Sequence, residues 1–185
     1  MLHRIFIAIN LPENIKSRIS NIQEEWPTLP CRWVNRENLH ITLAFLGNRN
    51  NQELEKVLEI SKEIATASEP FSISFSKVCY GPGAKIPPRL VWIEGEKSQA
   101  FHQLKTNMEN LLSKEIGFWS GKKESLPHIT IARVKMWNWR QLEPDDRPDI
   151  DSQVSIEVPV NSIEIMESYL KKAGPEYQIL QTFKL

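Results

Sequence analysis

An α+β fold built on antiparallel sheet is what this chain of 185 residues predicts, and three observations predict it. Strand-like and helix-like runs follow one another without the simple β-α alternation of a parallel sheet. Residues 71–78 alternate Phe71, Ile73 and Phe75 with Ser72, Ser74 and Ser76, the period of a strand with one wet face. A six-residue unit is also written twice, starting at residues 40 and 128, as two structural halves would place it.

Taken in order, residues 3–10 read as a buried strand, and Leu11-Pro12-Glu13 opens a helix with proline near its first turn. Ile15, Ile19, Ile22 and Trp26 make one apolar helical face, which Pro27 and Pro30 end. Residues 32–34 extend toward the first repeat unit, whose strand stops at Gly47. Asn50 or Asn51 caps a second helix with Leu54, Val57, Leu58, Ile60, Ser61 and Ile64 on its buried side. After the strand at 71–78, Gly81-Pro82-Gly83 and Pro87-Pro88 bracket a loop, and residues 90–93 form the next strand. A third helix, about 99–116, carries Phe101, Leu104, Met108, Leu111 and Leu112 at helical spacing. The polar run 120–125 is a loop that delivers Pro127 and the second repeat unit. Beyond it come Trp137-Asn138-Trp139 and then the charged, proline-containing 143–149, an exposed excursion. The runs 154–158, 162–166 and 176–183 finish the sheets.

Composition narrows the partners. Lysine plus arginine equals aspartate plus glutamate at 23 each, so the formal net charge is zero. A protein that tracks long duplexes needs a basic excess, because neutralised phosphates supply most of that affinity. Contact with nucleic acid is therefore local, at an end or a single nucleotide. Cys31 and Cys79 form no pattern, the N-terminal run lacks a cleavage-site signature, and nowhere do about 18 apolar residues run together. The expectation is a monomer in a reducing cytoplasm with two free, buried thiols and no membrane span.

The repeated unit is the chemically informative feature: His40-Ile41-Thr42-Leu43-Ala44-Phe45, then His128-Ile129-Thr130-Ile131-Ala132-Arg133. Successive strand side chains point to opposite faces, so each His shares a face with the Thr two residues on, and the aliphatics line the other. A single histidine on such a strand is more often a hydrogen-bonded structural residue. Packing gives no reason for both halves to keep the pair. Two units side by side would offer two bases and two hydroxyls, a set suited to acid-base chemistry around a phosphate. Zinc is the weaker option, because neither unit carries a second His, Cys, Asp or Glu at ligand spacing. His3 and His102 lack a neighbouring hydroxyl motif and read as structural or surface residues. Trp33, Trp119, Trp137 and Trp139 are candidates for stacking on RNA or for closing a core, and Lys122 and Lys123 for steering a phosphate backbone or standing in solvent.

With the N-terminal Arg4-Ile5-Phe6-Ile7-Ala8-Ile9-Asn10-Leu11-Pro12, the stretch from Leu39 through Leu46-Gly47, and Pro127 before the second unit, the motifs resemble the 2H phosphoesterase superfamily. Within it the chain is most similar to the RNA 2′,3′-cyclic phosphodiesterases, also called 2′-5′ RNA ligases. The likeness runs from the first strand to the end of the chain, with the middle, 53–124, alike in pattern and length only. It implies one domain over 1–185 with a bilobal fold: two antiparallel-rich sheets, helices outside, and one motif from each lobe facing a central cleft.

The resemblance also implies a reaction. RNA ends or small nucleotides bearing a 2′,3′-cyclic phosphate would be hydrolysed to a 2′-phosphate without metal or other cofactor. Water must lose a proton on one side of phosphorus while the departing oxygen gains one on the other, which one neutral and one protonated imidazole supply. By similarity, His128 is the general base and His40 the general acid, while the symmetry of the motifs leaves the reverse open. Thr42 and Thr130 would donate to the phosphate oxygens, and backbone carbonyls would hold each Nδ1 proton. The sixth motif residues, Phe45 and Arg133, correspond to the family's aromatic and arginine, which hold a nucleobase by stacking and cation-π contact; read from the residues alone, Phe45 could equally be core and Arg133 a solvated charge. Other 2H activities remain open at this level: 2′-5′ ligation, or hydrolysis of ADP-ribose 1″,2″-cyclic phosphate. A non-catalytic binder of RNA ends is disfavoured, since it has no need of both histidines.

Overall fold

The computed structural model describes residues 1–83, 86–119, 126–172 and 174–185. Among these described residues nine strands join one antiparallel sheet. In chain order the elements are β1 (Leu2–Asn10), α1 (Glu13–Gln23), β2 (Cys31–Trp33), β3 (His40–Asn50), α2 (Asn51–Thr66), β4 (Phe71–Gly81) and β5 (Leu90–Gly95). There follow α3 (Gln99–Ile116), β6 (His128–Val134), α4 (Met136–Gln141), β7 (Asp151–Val160), β8 (Ser162–Lys171) and β9 (Gly174–Lys184). Strand order is β7-β4-β5-β6-β3-β1-β8-β9, with β2 pairing β6. The two expected sheets are thus continuous, and their seam is one bridged pair between the repeat units, Ile41 opposite Ile129.

The helices form where sequence chemistry closes their ends. Asn50 caps α2 through a complete capping box, its side chain accepting from the Glu53 backbone N–H while the Glu53 carboxylate accepts from that of Asn50. Ser98 accepts from the Phe101 N–H at 3.2 Å to start α3, and Gly117, at φ 62°, ends it in the left-handed region. α1 stops at Gln23, so Trp26 leaves the helical face expected for it and packs on the core from the following turn.

β1 is buried on both faces. Ile5, Ile7 and Ile9 point into the main core with α1 and α2, while Phe6 and Ala8 form a smaller cluster with Met166 and Tyr177 on the opposite side. Each fully buried isoleucine favours burial by roughly 1.5–3 kcal/mol, so the alternate row decides which way β1 faces. Phe6 is thereby turned to the side that carries the histidines.

Three expectations are corrected. Trp137-Asn138-Trp139 is the helix α4, in which Trp139 is buried edge-on against Tyr80 and Trp137 is exposed. Cys31 and Cys79 are free but only half-buried. Trp119 closes no core and is exposed, while Trp33 both packs against the core and lines a cleft. The loop 120–125, with Lys122 and Lys123, lies outside the described residues.

Candidate active site

Both repeat units carry the same irregularity. Along β1, Ala8 pairs with Thr42 and Ile7 with Ala44, leaving Leu43 as a bulge. Along β5, Trp92 pairs with Thr130 and Val91 with Ala132, leaving Ile131 as a bulge at the matching position. A bulge inserts one residue and reverses which face the later side chains use. Phe45 and Arg133, which strict alternation would set with the aliphatics, therefore return to the face of His and Thr.

The bulged carbonyls find donors from distant segments. The Leu43 carbonyl accepts from Lys105 Nζ at 2.5 Å, and Lys105 is itself held by Glu109 at 2.9 Å. The Ile131 carbonyl accepts from the Val34 N–H at 2.9 Å and from Gln23 Nε2 at 3.0 Å. Orphaned buried carbonyls cost free energy comparable to a lost hydrogen bond, so these donors make the bulges stable features of the fold.

The seam arranges the four motif residues. With Ile41 opposite Ile129 in an antiparallel pair, His40 falls across from Thr130 and Thr42 across from His128, all on the face away from the two isoleucines. One cleft is lined by His40, Thr42, Phe45, Thr130 and Arg133. His128 stands beside this lining, its ring stacked on Trp92 with centroids 4.0 Å apart. The sequence offered Trp33 as a stacking candidate but did not identify the other walls: Phe6 from β1, Arg32 and Asn38 from the segment before β3, and Pro175 and Tyr177 from β9.

The histidines are held as expected through Nδ1. The Asn38 carbonyl lies 2.6 Å from His40 Nδ1 and the Leu126 carbonyl 3.2 Å from His128 Nδ1, each two residues before its histidine. A carbonyl only accepts, so each Nδ1 carries a proton and Nε2 is the atom left for chemistry. Asn38 is itself fixed, donating from Nδ2 to the Pro175 carbonyl at 2.8 Å, which ties the β8-β9 hairpin to the His40 side. Tyr177 sets its ring edge against His40, centroids 5.4 Å apart.

Electrostatics separates the two imidazoles from their symmetry. Burial pushes His40 down to about 4, its bond to the Asn38 carbonyl opposes the shift, and the positive charges of His128, Arg133 and Lys16 reinforce it. So placed, His40 is neutral at pH 7, and its Nε2 accepts from the Thr42 hydroxyl at 3.1 Å. Thr42 must turn away from that bond to donate to a ligand. Phe45, about half exposed, packs beside Phe6 at 6.0 Å and lies under Arg4 at 5.5 Å.

The remaining histidines are structural or exposed. His3 bridges Glu167 at 2.9 Å and Asn51 at 3.1 Å, and His102 faces solvent. Among the described residues no group of three His, Cys, Asp or Glu converges on one point. Nor is any described helix long and apolar enough to cross a membrane.

Comparison with known proteins gives a consistent result. Residues 9–92 match the model of a family described as LigT like phosphoesterase. An RNA 2′,3′-cyclic phosphodiesterase of Thermotoga maritima is 36% identical, the match covering 96% of this chain and 92% of its own. One from Methanocaldococcus jannaschii is 30% identical over 96% and 98% of the two chains. The solved structure of TT0787 from Thermus thermophilus superposes with a TM-score of 0.85 at 28% identity, covering 98% of this chain and 97% of that one. The LigT protein of E. coli, solved with 3′-AMP, shares the fold with a TM-score of 0.77 at 22% identity.

Proposed function

The chain belongs to the family of LigT-like phosphoesterases, and on that premise we propose that it opens the 2′,3′-cyclic phosphate at an RNA end to a 2′-phosphate, without a metal. The observation that carries this reading is the bridged pair Ile41-Ile129, which turns two imidazoles and two threonine hydroxyls to one face. A phosphate seated over that face meets a base, an acid and two neutral donors. Such a set supplies proton transfer and charge stabilisation without a Lewis acid.

In this reading His128 Nε2 takes the proton of the attacking water and His40 Nε2 delivers one to the departing O3′. Thr42 and Thr130 donate to the non-bridging oxygens as charge builds there. Phe45 and Arg133 hold the terminal base. His40 must gain its proton when the anionic phosphate enters, because a negative charge beside an imidazole favours its charged form. A second reading exchanges the two roles. What favours it is the neutral state that burial gives His40, which suits a base.

The proposal extends to one two-lobed domain acting as a monomer in the cytoplasm on RNA ends or small cyclic-phosphate nucleotides. A dinucleotide bearing a 2′,3′-cyclic end tests it: a 2′-phosphate product at catalytic rate is expected. A 3′-phosphate, a ligated 2′-5′ product alone, or no turnover would overturn it.

A further inference from the structure

Arg32 and Arg133 are direct partners across the β2-β6 ladder, and both line the cleft. Like charges set directly opposite on one sheet face destabilise the pair. Three other cations on the strands of this sheet are paired with acids: Lys77 meets Asp151 at 3.0 Å, Lys171 meets Glu176, and Arg49 meets Glu53 at 3.0 Å. Among the described residues neither Arg32 nor Arg133 has a carboxylate within ion-pair distance. The arrangement leaves two adjacent guanidiniums without a counter-ion inside a ligand cleft.

Their surroundings explain why the pair stays together. Arg32 is on a three-residue strand held to β6 by main-chain pairing, and its guanidinium runs beside Gly174 at the turn of the β8-β9 hairpin. A Cβ at Gly174 would come within 3.3 Å of Arg32 Nη1, so glycine leaves this side chain its space. The hairpin that flanks Arg32 also supplies Pro175 and Tyr177 to the wall near His40. Arg32 therefore stands toward one end of the cleft, on the far side of Arg133 from β5.

We propose that Arg32, with Arg133 beside it, forms a second anion subsite that takes the phosphate on the 5′ side of the terminal nucleotide. The inference rests on the reading above, in which the cyclic phosphate occupies the His-Thr face and Arg133 lies against the base. A nucleotide held so has its 5′ oxygen one ribose away from the reacting phosphorus, and Arg32 is the guanidinium of the cleft lining that the reading above leaves unassigned. A guanidinium pairs with phosphate in a bidentate fork, and the absent carboxylate is replaced by the ligand's own charge. The protein then distinguishes the end of an RNA chain from a nucleoside cyclic phosphate without reading sequence.

Binding measured by calorimetry tests this without depending on turnover. Adenosine 2′-phosphate and adenosine 2′,5′-bisphosphate differ only in the second phosphate. The wild type is expected to hold the bisphosphate at least about tenfold tighter, the scale of one strong charge-assisted contact. Arg32→Gln should lose most of that ratio, and Arg32→Lys, which keeps the charge but not the fork, should keep part of it. Arg32 is exposed, so both variants are expected to melt near the wild type, and should Gln unfold the protein the Lys ratio decides. Equal affinities in the wild type, or a ratio that both substitutions leave in place, overturns the subsite. If the cyclic dinucleotide is still hydrolysed in that case, only the subsite falls; if neither nucleotide binds and no turnover occurs, the functional reading falls with it.

Discussion

The indole of Trp92 lies nearly parallel to the imidazole of His128, ring centroids 4.0 Å apart and planes inclined by 22°. Trp92 can lie there because its other neighbour is Gly81, where an added Cβ would come within 2.3 Å of the indole. The imidazole is thus held by the Leu126 carbonyl at Nδ1 and by the indole face. Among the described residues, His128 is the motif residue whose ring stacks on a tryptophan from the neighbouring strand.

Trp92→Leu should accordingly lower kcat about tenfold or more with little change in KM, since misplacing a catalytic group acts on the transition state rather than on binding. Trp92→Phe, which keeps a flat ring, should recover much of the loss. Gly81→Ala should resemble Trp92→Leu by pushing the indole out of place. Steady-state kinetics on a cyclic dinucleotide checks all three, and a variant that changes KM alone would mean that Trp92 serves binding instead.

Replacing either His40 or His128 by alanine should reduce kcat by at least about 10²-fold, the usual scale for a positioned acid or base. His40 is half-buried at the cleft and His128 lies at the edge of its strand, so neither change opens the main core. Circular dichroism and melting temperature should stay close to the wild type. Near wild-type turnover in one variant would remove that histidine from the mechanism.

Dialysis against EDTA should leave activity intact. The cleft offers imidazole, hydroxyl and guanidinium groups, and guanidinium repels a cation. Activity lost on chelation and restored by zinc or manganese would contradict the metal-free reading.

The His40 environment makes stability depend on pH. The unfolded histidine has its ordinary value near 6.5, whereas burial in the folded protein lowers it to about 4. Between those values the unfolded chain binds the extra proton, so stability rises with pH across this window and is lost as pH falls through it. The full shift corresponds to at most about 3 kcal/mol. Denaturant titrations at pH 6.5 and 4.5 should therefore show a larger drop for the wild type than for His40→Gln. Equal drops would place the acid sensitivity in other groups.

Much of this architecture is legible from local patterns, and the failures have physical causes. The capping box at Asn50 and Glu53 and the glycine after α3 announce their helices because both ends of each bond lie within one turn. The His-x-Thr pairs follow from the two-residue period of a strand. That same period misplaces Phe45 and Arg133, since the bulges at Leu43 and Ile131 depend on Lys105 and Gln23, which lie far away in the chain. Arg32, Phe6 and Tyr177 reach the cleft only through strand pairing across the sheet, information that no short window contains. α4 is a single short helix whose one buried residue, Trp139, gives no periodicity to read.

The division of labour between the histidines remains to be read from the leaving group. If His40 protonates O3′, a substrate in which that oxygen is replaced by a better leaving group no longer needs the proton. It should rescue His40→Ala far more than His128→Ala, because loss of the base still leaves water unactivated. The wild type should gain little, since its acid is already in place. The depressed value at His40 adds a second signature. With His40 as the acid, only a minority of free protein carries the required proton distribution above pH 4, so kcat/KM should follow a bell whose limbs belong to the pair. Since a bell of that shape arises from either assignment, the substrate comparison is what decides. Rescue of His128→Ala instead would make His128 the acid and His40 the base, the assignment that the neutral state of buried His40 favours.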